Sequence, residues 1–192
     1  MIVLTVPQAL LLFLLGGVFV HFVIAGGRTF YSEDLQNEPG ALVGQLLFYV
    51  TGMMSIWFVG LHQVIPWING IAAALLLALA VGVYEWARHA IWLRRFGLGW
   101  GDHVPDVLCV EGPYRWVRHP IYLSYLMAFL AAFIALPHWL TAASLLLNVV
   151  VFAHGARHDE RRIAASALAE DYAAYRERTG MFLPKIRDSR RT

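Results

Sequence analysis

Three short stretches of this chain gather ionisable side chains: Arg118-His119-Pro120, Asp159-Glu160 and the segment that closes on Arg178. Proline suits the opening turn of a helix, because its absent N–H has no partner to lose there. Pro120 therefore starts a helix, with His119 near the N-cap and Arg118 just before it. Backbone N–H groups, an imidazole and a guanidinium then converge at one helix N-terminus, a setting that favours an anion such as the carboxylate of an amino-acid moiety. Spacing alone leaves a second reading open, in which Arg118 only marks topology and His119 is an interfacial residue.

The stretch from Arg157 to Arg178 has helical character, with Glu160, Ala164, Leu168, Tyr172 and Tyr175 at steps of four and three. Glu160 is expected on the buried stripe, where its carboxylate can accept hydrogen bonds from ribose hydroxyls or an ammonium group. Pairing with Arg161 or Arg162 is the alternative. In a straight helix Glu160 and Arg178 stand roughly 27 Å apart at about 1.5 Å per residue, too far to grip one small group. Either the helix bends or the two residues serve different parts of a site.

Other residues point elsewhere. His21, His62, His138 and His154 lack metal-ligand spacing, so no metal site is expected. The single cysteine, Cys109, excludes an internal disulfide and a cysteine-based zinc cluster. The Gly-rich FGLGWG at residues 96–101 lacks the strand-turn-helix context of a dinucleotide fingerprint. The basic tail has acidic neighbours, so headgroup or topology roles suit it better than nucleic acid.

The elements that position these residues are membrane helices. Hydrophobic residues make up 59% of the 192-residue chain and charged ones 15%, a balance that water alone cannot solvate. A span needs about 20 apolar residues. Stretches free of Lys, Arg, Asp and Glu run over Pro7–Ala25, Ala41–Val64, Trp67–Tyr84 and Pro120–Gly155. The last is too long for one span and is broken by Leu136-Pro137-His138, so it reads as a hairpin of two helices. The expected fold is all-α and polytopic, with about five transmembrane helices and a cytosolic C-terminal helical segment. Residues 1–192 form a single membrane domain, with 1–84 as N-terminal spans and 85–192 as the half that carries the chemistry.

The basic residues fall between the first and second spans (Arg28), between the third and fourth (Arg88, Arg94, Arg95, Arg115 and Arg118), and after the fifth. With five spans these segments share one face, and the positive-inside rule makes that face cytoplasmic. Most Trp and Tyr residues lie near span ends, as in an aromatic belt.

The run GPYRWVRHPIYL resembles the Gly-Pro-Tyr-x-x-x-Arg-His-Pro-x-Tyr signature of the isoprenylcysteine carboxyl methyltransferase and phospholipid methyltransferase families of membrane enzymes. The similarity extends over roughly residues 84–186. It takes in Leu98-Gly99, the acidic Asp159-Glu160, and the tail DYAAYRERTGMFLPKI with its Tyr-x-x-Tyr and closing proline. The resemblance implies S-adenosylmethionine as cofactor, cradled at the cytoplasmic face by Gly112, Tyr114, Arg118, His119, Pro120, Tyr122 and Glu160. It implies a lipophilic or prenylated small-molecule substrate that enters between helices from the lipid bilayer. Arg178, Glu160 and His119 are the implied catalytic residues, Arg178 as the one that orients an acceptor carboxylate. The chain departs from the pattern where Arg161 replaces a second glutamate, where Leu168-Ala169 replaces Phe-Gly, and where Met181 replaces an arginine of some prokaryotic relatives.

The implied activity is methyl transfer to a lipid-embedded or apolar acceptor, with an isoprenylcysteine-like carboxylate first and a phospholipid amine or small thiol as alternatives. Transfer from a sulfonium is an in-line displacement that needs no metal. A nicotinamide-dependent membrane reductase of related C-terminal architecture is a competing class, and a non-enzymatic membrane protein that retains the fold is a third. The expected location is the bacterial inner membrane.

Overall fold

A computed structural model describes residues 6–30, 39–61, 65–92 and 107–185. The Leu98-Gly99 element, the FGLGWG run, Arg94, Arg95, Arg187 and the residues that follow it lie outside the described residues. Six α-helices follow in order: α1 (Val6–Phe30), α2 (Pro39–Leu61), α3 (Trp67–Trp92), α4 (Pro120–Ala135), α5 (Trp139–Ala164) and α6 (Ala169–Arg178). Among the described residues a 3-10 turn, Gly112–Arg115, precedes α4. The protein is an all-α polytopic membrane protein. Helices α1, α2, α3 and α5 are long and apolar enough to span, while α4 is a shorter apolar helix. At about 1.5 Å per residue its 16 residues cover about 24 Å, some 6 Å less than the hydrocarbon core.

The proline break falls where the sequence places it. Leu136 caps α4, and His138 caps α5 by accepting the Leu140 N–H on Nδ1 at 3.2 Å. Thr141 Oγ1 donates to the Leu136 carbonyl at 2.7 Å and so fastens the turn. Helix α3 runs past the expected boundary at Tyr84 to Trp92, so the two halves of the chain meet inside one continuous helix.

Lipid offers no hydrophobic drive for helices to associate, so packing and interhelical hydrogen bonds must hold the bundle together. Phe22 of α1, Phe48 of α2, Tyr84 of α3, Tyr125 of α4 and Phe152 of α5 are all buried in one cluster. Phe22 meets both Tyr84 and Tyr125 with ring centroids 5.0 Å apart. Asn148 of α5 donates to Thr51 of α2 at 2.8 Å, and Asn69 of α3 donates to the Ile134 carbonyl of α4 at 2.9 Å. His21 of α1 lies 2.9 Å from Glu85 of α3. The Asn69 contact puts the start of α3 beside the end of α4. The end of α3, the start of α4 and the end of α5 therefore share the opposite end of the bundle.

Candidate active site

That opposite end is built by the N-terminus of α4, the last turn of α5, and the segment after α6. Residues 116–119 and 179–181 run side by side. The Arg118 N–H donates to Gly180 O at 2.8 Å, the His119 N–H to Met181 O at 3.1 Å, and the Gly180 N–H to Trp116 O at 3.3 Å. A side chain at Gly180 would run into the Leu183 carbonyl, so only glycine lets the segment turn back this tightly.

This pairing fixes Arg118 and His119 against Glu160. The Arg118 guanidinium donates through Nε to Glu160 Oε1 at 2.8 Å and through Nη1 to the Thr179 carbonyl. Both side chains are 7% exposed. His119 Nε2 stands 3.3 Å from the same Glu160 oxygen. One turn further along α4, the Tyr122 hydroxyl donates to Asp159 Oδ2 at 3.0 Å. The His119 ring stacks on Tyr122 with centroids 5.5 Å apart, and Tyr122 stacks on Phe152 at 5.4 Å. Water is thinned around these carboxylates, which strengthens whatever electrostatic contact they make.

Gly112, Tyr114 and Pro120 take supporting places. Gly112 has a φ of +56°, and a Cβ there would sit 3.1 Å from Trp86 Nε1, so glycine lets the turn lie flat on α3. Tyr114 is buried, and its carbonyl accepts the Tyr175 hydroxyl at 2.8 Å. Pro120 opens α4 with His119 as N-cap, as the sequence implies.

Of the two alternatives left open for Arg157 to Arg178, the chain bends: the helical stretch is broken in two. Helix α5 stops at Ala164, Ser166 Oγ donates to the Ile163 carbonyl at 2.7 Å and accepts the Leu168 N–H at 3.1 Å, and α6 starts at Ala169. Ala164, expected on a buried stripe, is exposed at this break, whereas Glu160, Tyr172 and Tyr175 are buried. Burial, and after it the charge of Glu160, pushes the Tyr172 phenol pKa up. Burial does the same to Tyr175.

Arg178 is not brought to this cluster. It is exposed, and its Nε donates to the Ala174 carbonyl one turn back on its own helix. Arg176 of the same helix lies 3.9 Å from Glu160 Oε2. Neither Glu160 nor any other carboxylate among the described residues forms an ion pair with Arg178. Two residues at the cluster escape sequence reasoning as site residues: Asp159, visible only as part of an acidic pair, and Thr179, whose role is carried by its backbone.

A hollow lined by Ala164, Ala169, Tyr172, Ala173, Arg176 and Lys185 opens at the α5–α6 junction. Within the bundle, Leu15, Phe19, Phe48, Ile56 and Phe129 line a narrow apolar cleft with a cavity volume of about 30 Å³.

The phospholipid methyltransferase family model matches residues 68–167, which covers α3, α4, α5 and the cluster of Arg118, His119 and Glu160. The chain belongs to the phospholipid methyltransferase family. It is a membrane methyltransferase. No curated protein matches the chain. The matched stretch ends before α6, so Tyr172, Tyr175, Arg176 and Arg178 lie beyond it.

Proposed function

We propose that this membrane methyltransferase takes its methyl group from S-adenosylmethionine, at the cytoplasmic face, and passes it to a lipid-embedded acceptor. The observation that carries the reading is the convergence of Arg118, His119 and Glu160 at the N-terminus of α4. The residues present fit such a donor. Among the described residues Arg176 meets Glu160 Oε2 at 3.9 Å, and the buried Tyr172 hydroxyl, its pKa raised first by burial, lies near enough to the Glu160 carboxylate to be raised further by its charge. These two atoms can hold the ribose hydroxyls or the amino group, while Arg118 and the helix N-terminus suit the carboxylate. When bound, the donor supplies a sulfonium methyl for in-line displacement. The protein's own part is to orient, to exclude water and to hold protons where they are needed.

The acceptor reading shifts from a carboxylate to an amine. A carboxylate such as that of a prenylated cysteine asks for the fork of Arg178, which is turned away onto its own helix. An ethanolamine-type phospholipid amine fits the family's name. An ammonium must lose a proton before it can attack. Glu160 is engaged by Arg118, which leaves His119 as the base at the cluster. The deciding experiment is calorimetric titration of the purified protein with S-adenosylhomocysteine and, separately, NADPH. Binding of the first alone is expected, and binding of NADPH alone would replace this reading with a reductase.

A further inference from the structure

The two neighbouring carboxylates of α5 are not equivalent. Glu160 is met by Arg118, His119 and, at longer range, Arg176. Asp159 accepts one hydrogen bond from a neutral phenol, Tyr122, and among the described residues no cation pairs with it. His119, His158 and Arg162 act on it through space, with no salt bridge to it among the described residues. It lies beside the stacked rings of His119, Tyr122 and Phe152, where a charge is poorly solvated. The site also keeps unmet hydrogen-bonding capacity: His158 Nδ1 is buried without a hydrogen-bond partner among the described residues.

We propose that Asp159 is the counter-charge for the donor's sulfonium, held in place by the Tyr122 hydroxyl. This rests on the donor assignment made above. A sulfonium is a cation before methyl transfer and a neutral thioether after it. A carboxylate beside it therefore favours the charged donor over its spent product. That attraction weakens as the charge leaves sulfur, so it serves donor-product discrimination and the exchange of product for donor more than the chemical step itself. An acceptor ammonium is a second cation of the same chemistry, and it is kept out of the test by omitting any acceptor.

The test is calorimetric titration of the full-length protein with S-adenosylmethionine and S-adenosylhomocysteine in parallel. Asp159→Asn should weaken S-adenosylmethionine about tenfold and leave S-adenosylhomocysteine within about twofold. Asp159→Glu, which keeps the charge, should recover most of the preference. Asp159→Ser removes the charge without adding volume, and gives the same comparison should the asparagine variant fail to fold. Equal weakening of both ligands would make Asp159 a merely structural residue and overturn the proposal, as would an unchanged ratio. Failure of the unaltered protein to bind either ligand would instead reject the donor assignment, and this inference with it.

Discussion

Glu160 is where the site is decided at the scale of single residues. One of its oxygens takes both the Arg118 guanidinium and the His119 imidazole, so its charge orders two side chains of another helix. Glu160→Gln keeps the shape and removes that charge. Charge-assisted hydrogen bonds are worth about 1.5–3 kcal/mol, so affinity for S-adenosylhomocysteine should fall roughly ten- to a hundredfold in a titration of the folded variant. Unchanged binding would remove Glu160 from the site. Arg178→Lys is the contrasting substitution. Its side chain is exposed and bonded to its own helix, so turnover of labelled S-adenosylmethionine with an ethanolamine phospholipid should stay within about twofold. A sharp loss would return Arg178 to catalysis. The sequence makes Arg118, His119 and Glu160 legible because motif and helix-start chemistry agree on them. It does not tell where Arg178 lies relative to Glu160, because the turn at 165–168 resets the helical phase, so that of the α6 arginines it is Arg176 that pairs with Glu160. Asp159 is hard to read because its partner, Tyr122, lies 37 residues away.

At the scale of elements, hydropathy finds the spanning helices because a backbone in lipid must satisfy its own hydrogen bonds, which leaves helix as the only form for such segments. The break between α4 and α5 is equally legible, since Pro137 removes a donor and the neighbouring His138 and Thr141 supply the caps. Pairing of the 116–119 segment with 179–181 is not legible, because nothing local announces a contact across about 60 residues. Gly180 is its weak point. Gly180→Ala sets a methyl group against the Leu183 carbonyl, and relief requires the segment to move away from Arg118. Overpacking of this kind costs about 1–3 kcal/mol. Circular dichroism of the variant should show the helix content of the parent, because α1 to α5 pack on one another directly, and this segment adds only Met181 and Phe182 at the edge of their core. S-adenosylhomocysteine binding should be lost by at least about tenfold. Intact affinity would show that the pairing only closes the fold.

The whole molecule is a bundle whose two ends differ in chemistry. Leu12 of α1 approaches Gly60 of α2, and Phe19 stacks on Phe48, so α1 and α2 run antiparallel. His21 meets Glu85 as α1 and α3 rise together, so both helices finish at the same end. Arg115 and Arg118 before α4, and the basic residues from Arg157 to Lys185 at the end of α5 and beyond it, all gather there. Trp67 and Trp139, each the first residue of its helix and 73% and 70% exposed, mark the other end as aromatic anchors do at a membrane interface. Basic residues are generally retained on the cytoplasmic side, so the proposed orientation puts this end in the cytoplasm. Cysteine accessibility measures it directly, in a background where the native Cys109 is replaced by serine. With Asn69→Cys and Lys185→Cys introduced separately, an impermeant maleimide added to intact cells should label residue 69. Residue 185 should react only after the membrane is opened. Because Asn69 is tied to the end of α4 and Lys185 caps α6 through the Arg176 carbonyl, the two positions belong to opposite ends of one bundle. Labelling of both from outside would break the orientation of the bundle, and with it the cytoplasmic placement of the Arg118–Glu160 cluster.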